Sequence, residues 1–284
     1  MKKTILVLAL AAVAAPLLAQ KPAEVTIKQV NDRRTNGKFF AELGIALELP
    51  KVRAMDVAAA RVLVTSAIDN NGQSLIDAEA GAPDLMQTPK MHQDASEPAS
   101  VSLKLKNPDR KSTSIKEVRG EIELYMPSKD PNSIADIPKF LSFSGKPLAH
   151  KALKANGVEI SLVSPAQLEA EKKRLGDAKR KEAKEGGYEG EDLENVVKYY
   201  LESLLNIEEG DVLVRLKDPN KRIHDINYLV GGEERRVSMR DEEGFVLLSS
   251  WGDKPQSDWG LRISMKTSKN LVRQPFTLNN VPLP

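Results

Sequence analysis

Cysteine is absent from all 284 residues. Disulfides, thiolate nucleophiles and thiolate metal sites are excluded with it, so the fold rests on burial and hydrogen bonding alone. Small exported domains often depend on disulfides, but a chain of this length can build one or two cores without them. Aromatic residues make up only 5% of the chain, which is low for a dedicated glycan binder, because sugar sites are built from ring faces. Histidine occurs three times, as His92, His150 and His224, far apart and without the short spacing of a metal motif such as HExxH. No GxSxG nucleophile elbow, Gly-rich phosphate loop or EF-hand loop is present. Asp69-Asn70-Asn71-Gly72 resembles the start of a calcium loop, but the bidentate Glu that should follow is missing, and a hairpin turn explains it better. No metal and no cofactor is expected.

Long apolar runs are also missing beyond the N-terminus. Lys2 and Lys3 precede an uncharged apolar stretch, Ile5 to Ala15, too short to span a bilayer, and Leu17-Leu18-Ala19 offers a cleavage point before Gln20. Residues 1–19 are therefore expected to be a secretory signal peptide, and the mature chain is expected to be periplasmic or secreted with no membrane span. Removing Lys2 and Lys3 takes the 42 Lys+Arg to 40, against 40 Asp+Glu. A mature chain without net charge has no global field for nucleic acid, so no nucleic-acid partner is expected.

What is present reads mainly as short strands. Val25-Thr26-Ile27-Lys28 alternates, an apolar pattern runs from Phe39 to Leu49, and Ala59–Ile68 leads into the Asp-Asn-Asn-Gly turn. Val101, Leu103 and Leu105 alternate with Ser102 and Lys104, and after the break at Asn107-Pro108-Asp109 the pattern resumes through Ile122 and Leu124. Residues 77–100, rich in Gly, Pro, Asp, Gln and Ser, read as a long loop. Later strands are expected at Val212–Leu216 and near 223–230, 235–240, 244–250, 260–266 and 271–279.

Residues 103–120 and 214–231 echo each other without a gap: Leu105/Leu216, Lys106/Lys217, Pro108/Pro219, Ile115/Ile226 and Gly120/Gly231 are identical. A repeated strand, Pro-centred turn and strand points to duplication. The expected fold is all-β, with two tandem Ig-like β-sandwich domains over 20–150 and 151–284, joined near residues 145–157. The second is expected to carry an inserted α-helical hairpin over 164–209. Ser164-Pro165-Ala166-Gln167 forms a capping box that starts one helix, which stops at Gly186-Gly187. The next helix carries a wide apolar stripe that includes Leu193, Val197, Tyr200 and Leu204. That stripe is expected to pack on a sheet of the second sandwich, with docking of a partner as the alternative.

Two acidic clusters, Glu189 to Glu194 and Asp241 to Glu243, fit a helix start and a turn better than a catalytic pair. The most distinctive local feature is the loop from Trp251 to Trp259, which holds both tryptophans of the chain, with Asp253, Gln256 and Asp258 between them. Two ring faces and three polar groups would suit a sugar, while two indoles sealing the end of a sandwich core is the plainer explanation. The expected function is a non-catalytic exported binding or interaction protein of the bacterial cell envelope, its partner an envelope protein or a glycan. The alternatives are a carbohydrate-binding module using Trp251 and Trp259, and an envelope hydrolase assembled from dispersed Asp, Glu and His.

Overall fold

A computed structural model describes residues 24–34, 41–87, 97–204, 207–208, 210–242, 245–250 and 254–284. The expected signal peptide, His92 and most of the second half of the expected 77–100 loop lie outside them. The described chain is mostly β, in four antiparallel sheets.

Two sheets enclose the first core. One holds β1 (Thr26–Arg33), β2 (Glu42–Arg53) and β5 (Pro98–Leu105) in the order β1-β2-β5. The facing sheet holds β3 (Ala59–Asp69), β4 (Met86–Gln87), β6 (Ser114–Tyr125) and β15 (Leu271–Pro282) in the order β15-β6-β3-β4. The period of two in β2 explains its place: Leu43, Ile45, Leu47 and Leu49 are all fully buried, while the residues between them face outward or lie partly covered. Each such side chain contributes about 1.5–3 kcal/mol by leaving water.

The second core lies between another pair of sheets. One holds β7 (Ile134–Ile137), β10 (Ile223–Val230), β11 (Glu233–Arg236) and β14 (Gly260–Met265), in the order β11-β10-β14-β7. The other holds β8 (Glu159–Leu162), β9 (Val212–Lys217), β12 (Ser238–Glu242) and β13 (Phe245–Ser249), in the order β12-β13-β9-β8. Tyr228 is its centre, with the Phe140 ring 5.4 Å and the Trp259 ring 5.6 Å away, and its hydroxyl donates to the Leu248 carbonyl. The short helix α1 (Lys151–Asn156) adds Ala152 and Leu153 to this core.

The internal echo has a structural counterpart. β5 to β6 and β9 to β10 are both strand–turn–strand crossings from one sheet to the facing one, and Ile115 and Ile226 occupy fully buried places in the two cores.

The order along the chain differs from a tandem split at residue 150. β15 pairs with β6 from Leu271↔Tyr125 to Pro282↔Ser114, and Phe276, Leu278 and Val281 enter the first core. The second unit is thus an excursion between β6 and β15. The outgoing and returning chains are stitched where they pass: Met126 N–H donates to the Asn270 carbonyl at 2.8 Å, and Met265 N–H donates to the Ser133 carbonyl at 2.7 Å. The Gly and Pro cluster at 145–157, expected as a linker, instead forms turns and α1 within the second unit. Strand periodicity identifies a strand without naming its neighbour, which is why the return of β15 was not foreseen.

The connection from β8 to β9 carries α2 (Pro165–Glu185) and α3 (Gly190–Leu204). Both halves of the capping box form, Gln167 N–H donating to Ser164 Oγ and Ser164 N–H to Gln167 Oε1. After α2 the chain turns through Gly187, whose φ of +88° suits glycine alone among common residues. α3 lies against α2 rather than on a sheet, which corrects the expected packing. A Cβ on Gly176 of α2 would stand 3.4 Å from Leu201 and 3.6 Å from Val197, ordinary contact distances that place the α3 stripe against this part of α2.

Candidate functional site

A cleft opens on the side of the first unit, between the edges of β3 and β5. Among the described residues β5 is the last strand of its sheet and pairs only with β2. The edge of β3 is covered, among the described residues, at its two ends, by β4 pairing with Ala59 and Ala60 and by Ser74 and Leu75 bonding to Ile68 and Ala67, with the stretch between them left open. The segment joining β3 to β4 crosses this side as an arch fixed at both ends. At one end Leu75, 1% exposed, plugs the core; its N–H donates to the Ala67 carbonyl of β3, and its carbonyl accepts from Lys106 N–H just past β5. At the other end β4 holds β3. Between these anchors Arg61 Nη1 donates to the Pro83 carbonyl at 3.3 Å. Beneath the arch is a cleft of about 860 Å³, walled by Val62 and Val64 of β3, Val101, Leu103 and Leu105 of β5, and Ile76 of the arch.

The anchors have their own chemistry. The Asp-Asn-Asn-Gly turn that starts the arch is held by the fully buried Asp69 carboxylate, which accepts from Asn71 N–H, Gln73 N–H and the Ser112 hydroxyl. Burial alone would raise its pKa. The bonds from Ser112, Gln73, Asn71 and Gly72 outweigh that and hold it below the ordinary value. At the β3 wall Arg61, Glu123 and Arg273 stand opposite one another on β3, β6 and β15. Glu123 is 1% exposed and binds Arg61 through Oε1 at 2.8 Å and Arg273 through Oε2 at 2.8 Å. The cleft rim carries Asp77 and Asp84 on the arch and Lys104 on β5, the last 3.8 Å from Glu42.

The second unit treats its sides differently. The chain from β11 to β12 passes directly from one sheet to the other across one side, and α1 with Phe140–Phe143 covers core residues near β7 and β8. The outer face of β9 and β13, with Leu213, Phe245 and Leu247, is met by Val163, Leu168 and Ile207. Among the described residues the first unit has two sheet edges facing across an apolar gap, an arrangement fit to hold an elongated apolar body with polar groups along its margin.

The residues singled out in the sequence lie elsewhere. Trp259 is 5% exposed; its indole packs against Tyr228 and is covered by the Arg235 guanidinium 5.4 Å from the ring. It offers no open face to a sugar. Gln256 and Asp258 are exposed, and Trp251 and Asp253 lie outside the described residues. On α3, Leu193 and Val197 are buried, Tyr200 is half-buried with Lys179 of α2 over its ring, and Leu204 closes the helix. Leu193 and Val197 of the stripe are thus covered within the chain.

Of the histidines, His150 caps α1 by accepting from Ala152 N–H, and His224 lies against the Tyr125 ring at 4.5 Å where the two units meet. Burial lowers the pKa of His224. Glu191 and Asp192 occupy the first turn of α3, and Glu194 binds Arg180 of α2. Among the described residues no group of three or more His, Asp or Glu side chains is placed to hold a metal ion. The cleft was missed because it is made by two unpaired edges, although the alternation of 101–105 and the turn at 69–72, both legible, form one wall and one anchor. Comparison with protein-family models, with curated proteins and with solved structures gave no match, so the functional reading rests on this geometry.

Proposed function

We propose that this chain is an exported, non-catalytic binding protein of the cell envelope, and that its ligand enters the cleft under the 76–84 arch. The observation that carries the reading is the apolar gap of about 860 Å³ between the edges of β3 and β5, spanned by an arch anchored at Leu75 and at β4. A sandwich with no use for such a gap would gain by closing it, since filling it with side chains removes apolar surface from water. Export is supported by the sequence of residues 1–19, and no helix among the described residues is long and apolar enough to cross a membrane. Expression of the full chain in a bacterial host, followed by fractionation and N-terminal sequencing, tests export. The protein should appear outside the cytoplasm beginning at Gln20; retention of Met1 in a cytoplasmic product overturns that part.

Binding is tested by titrating the protein with the apolar probe 1-anilinonaphthalene-8-sulfonate. Ile76 on the arch lines the cleft and is only partly buried, so Ile76→Trp narrows the opening while leaving both sheets as they are. One saturable site should be found in the wild type and weakened at least about tenfold in the variant, a loss of roughly 1.4 kcal/mol. Equal binding by the two proteins removes the cleft from consideration.

A further inference from the structure

We propose that the ligand of this cleft is an extended polypeptide segment, about seven residues long with apolar side chains at alternate positions, which adds to the free edge of β5 as a new strand. This rests on the reading of the cleft as the binding site and specifies its occupant. β5 pairs with β2 without a register shift from Leu43↔Leu105 to Leu49↔Ala99, so its other edge presents a straight row of backbone N–H and C=O groups over those seven residues. At ~3.3 Å per residue that edge is about 23 Å long. Such an edge is a template for strand addition, and natural sheets guard theirs with proline, lysine or bulges. Here the guards stand at the ends, Pro98 opening β5 and Lys104 near its close, while Ser100 and Ser102 leave the middle unguarded.

The chain itself already uses strand pairing at both ends of this gap. Leu75 bonds to Ala67 on one side and Lys106 on the other, β4 pairs with the start of β3, and Ser74 bridges to Ile68. A strand laid along β5 would continue that pattern. Its inward residues would meet Val62, Val64 and Ile76, and its outward ones would lie beside Ser102 and Lys104. An alkyl chain in the same place would cover the β5 backbone groups without bonding them, which is unfavourable. The bulge between Val64 and Ser66 interrupts the β3 edge, which is why β5 is assigned as the pairing strand.

The test uses wild-type protein and a fluorescein-labelled decapeptide of alternating valine and threonine ending in lysine, against the same peptide N-methylated at every second backbone nitrogen. Methylation spares the side chains and removes the donors that strand addition requires. The unmodified peptide should bind at one site, displace 1-anilinonaphthalene-8-sulfonate and slow amide exchange within 99–105, with the methylated form at least tenfold weaker. If the dye binds and the peptide does not, or if both peptides bind equally, strand addition is overturned while the cleft stands. If neither dye nor peptide binds, the cleft reading falls with it. If the protein sediments as a dimer that excludes the peptide, the edge belongs to a second copy, and the proposal is overturned.

Discussion

Arg61 joins the β3 wall of the cleft to the arch, and its removal has a calculable consequence. Its side chain is 28% exposed and places two nitrogens on Glu123 Oε1, at 2.8 and 3.0 Å. In Arg61→Ala that oxygen stays buried and loses its partner, while Arg273 remains on Oε2. Breaking a buried pair outright costs about 3–5 kcal/mol. With one arginine retained, a cost of about 2–3 kcal/mol is expected, in line with the penalty for an unsatisfied buried charged acceptor. Arg273→Ala removes a partner whose side chain is 59% exposed, so water can replace it, and about 1 kcal/mol is expected. Urea unfolding followed by far-ultraviolet circular dichroism measures both. Arg61→Ala should in addition speed amide exchange in the arch, because the bond to the Pro83 carbonyl goes with it. An Arg61→Ala cost below about 0.5 kcal/mol, or one no larger than that of Arg273→Ala, would refute this reasoning on the magnitudes above.

Two other perturbations test the first unit. Gly120 lies in β6 between β3 and β15, and a Cβ there would stand 2.4 Å from the Leu63 carbonyl oxygen and 2.8 Å from the Phe276 ring. Gly120→Ala should destabilise by about 2 kcal/mol or more by equilibrium unfolding, since the carbonyl cannot move without shifting a strand; an unchanged midpoint would mean that β3 and β15 do not flank β6 as described. Asp69→Asn should lose about 1–2 kcal/mol at neutral pH through weakened turn bonds. Because the folded carboxyl lies below the ordinary value of 3.8, its contribution is full above that pH and drains away as pH falls through the folded value. The stability gap between wild type and variant should therefore narrow in acid, and a gap that widens there would contradict the assignment.

Local features were legible in the sequence because local chemistry determines them. The buried row of Leu43, Ile45, Leu47 and Leu49, the capping box at Ser164, and the echo linking Ile115 to Ile226 all follow from spacing and side-chain type. Partnership was not legible. Leu271–Pro282 alternates like any half-buried strand, and nothing in that alternation favours β6 over a nearer neighbour. The α3 stripe calls for a cover, but nothing in its spacing says that α2 rather than a sheet supplies it. The cleft was hidden for the same reason, since whether Ala99–Leu105 has one neighbouring strand or two is a property of the assembled sheets.

The most direct test of the cleft as the binding site is a methyl-resolved NMR titration with 1-anilinonaphthalene-8-sulfonate, with the methyls of Val62, Val64, Val101, Leu103 and Met86 assigned. Shifts confined to these groups and to Ile76 are expected, because they line this cleft. Shifts that spare them and gather instead at Val197 and Leu201 between the helices, or at Leu261 and Val246 in the Trp259 core, would contradict the reading.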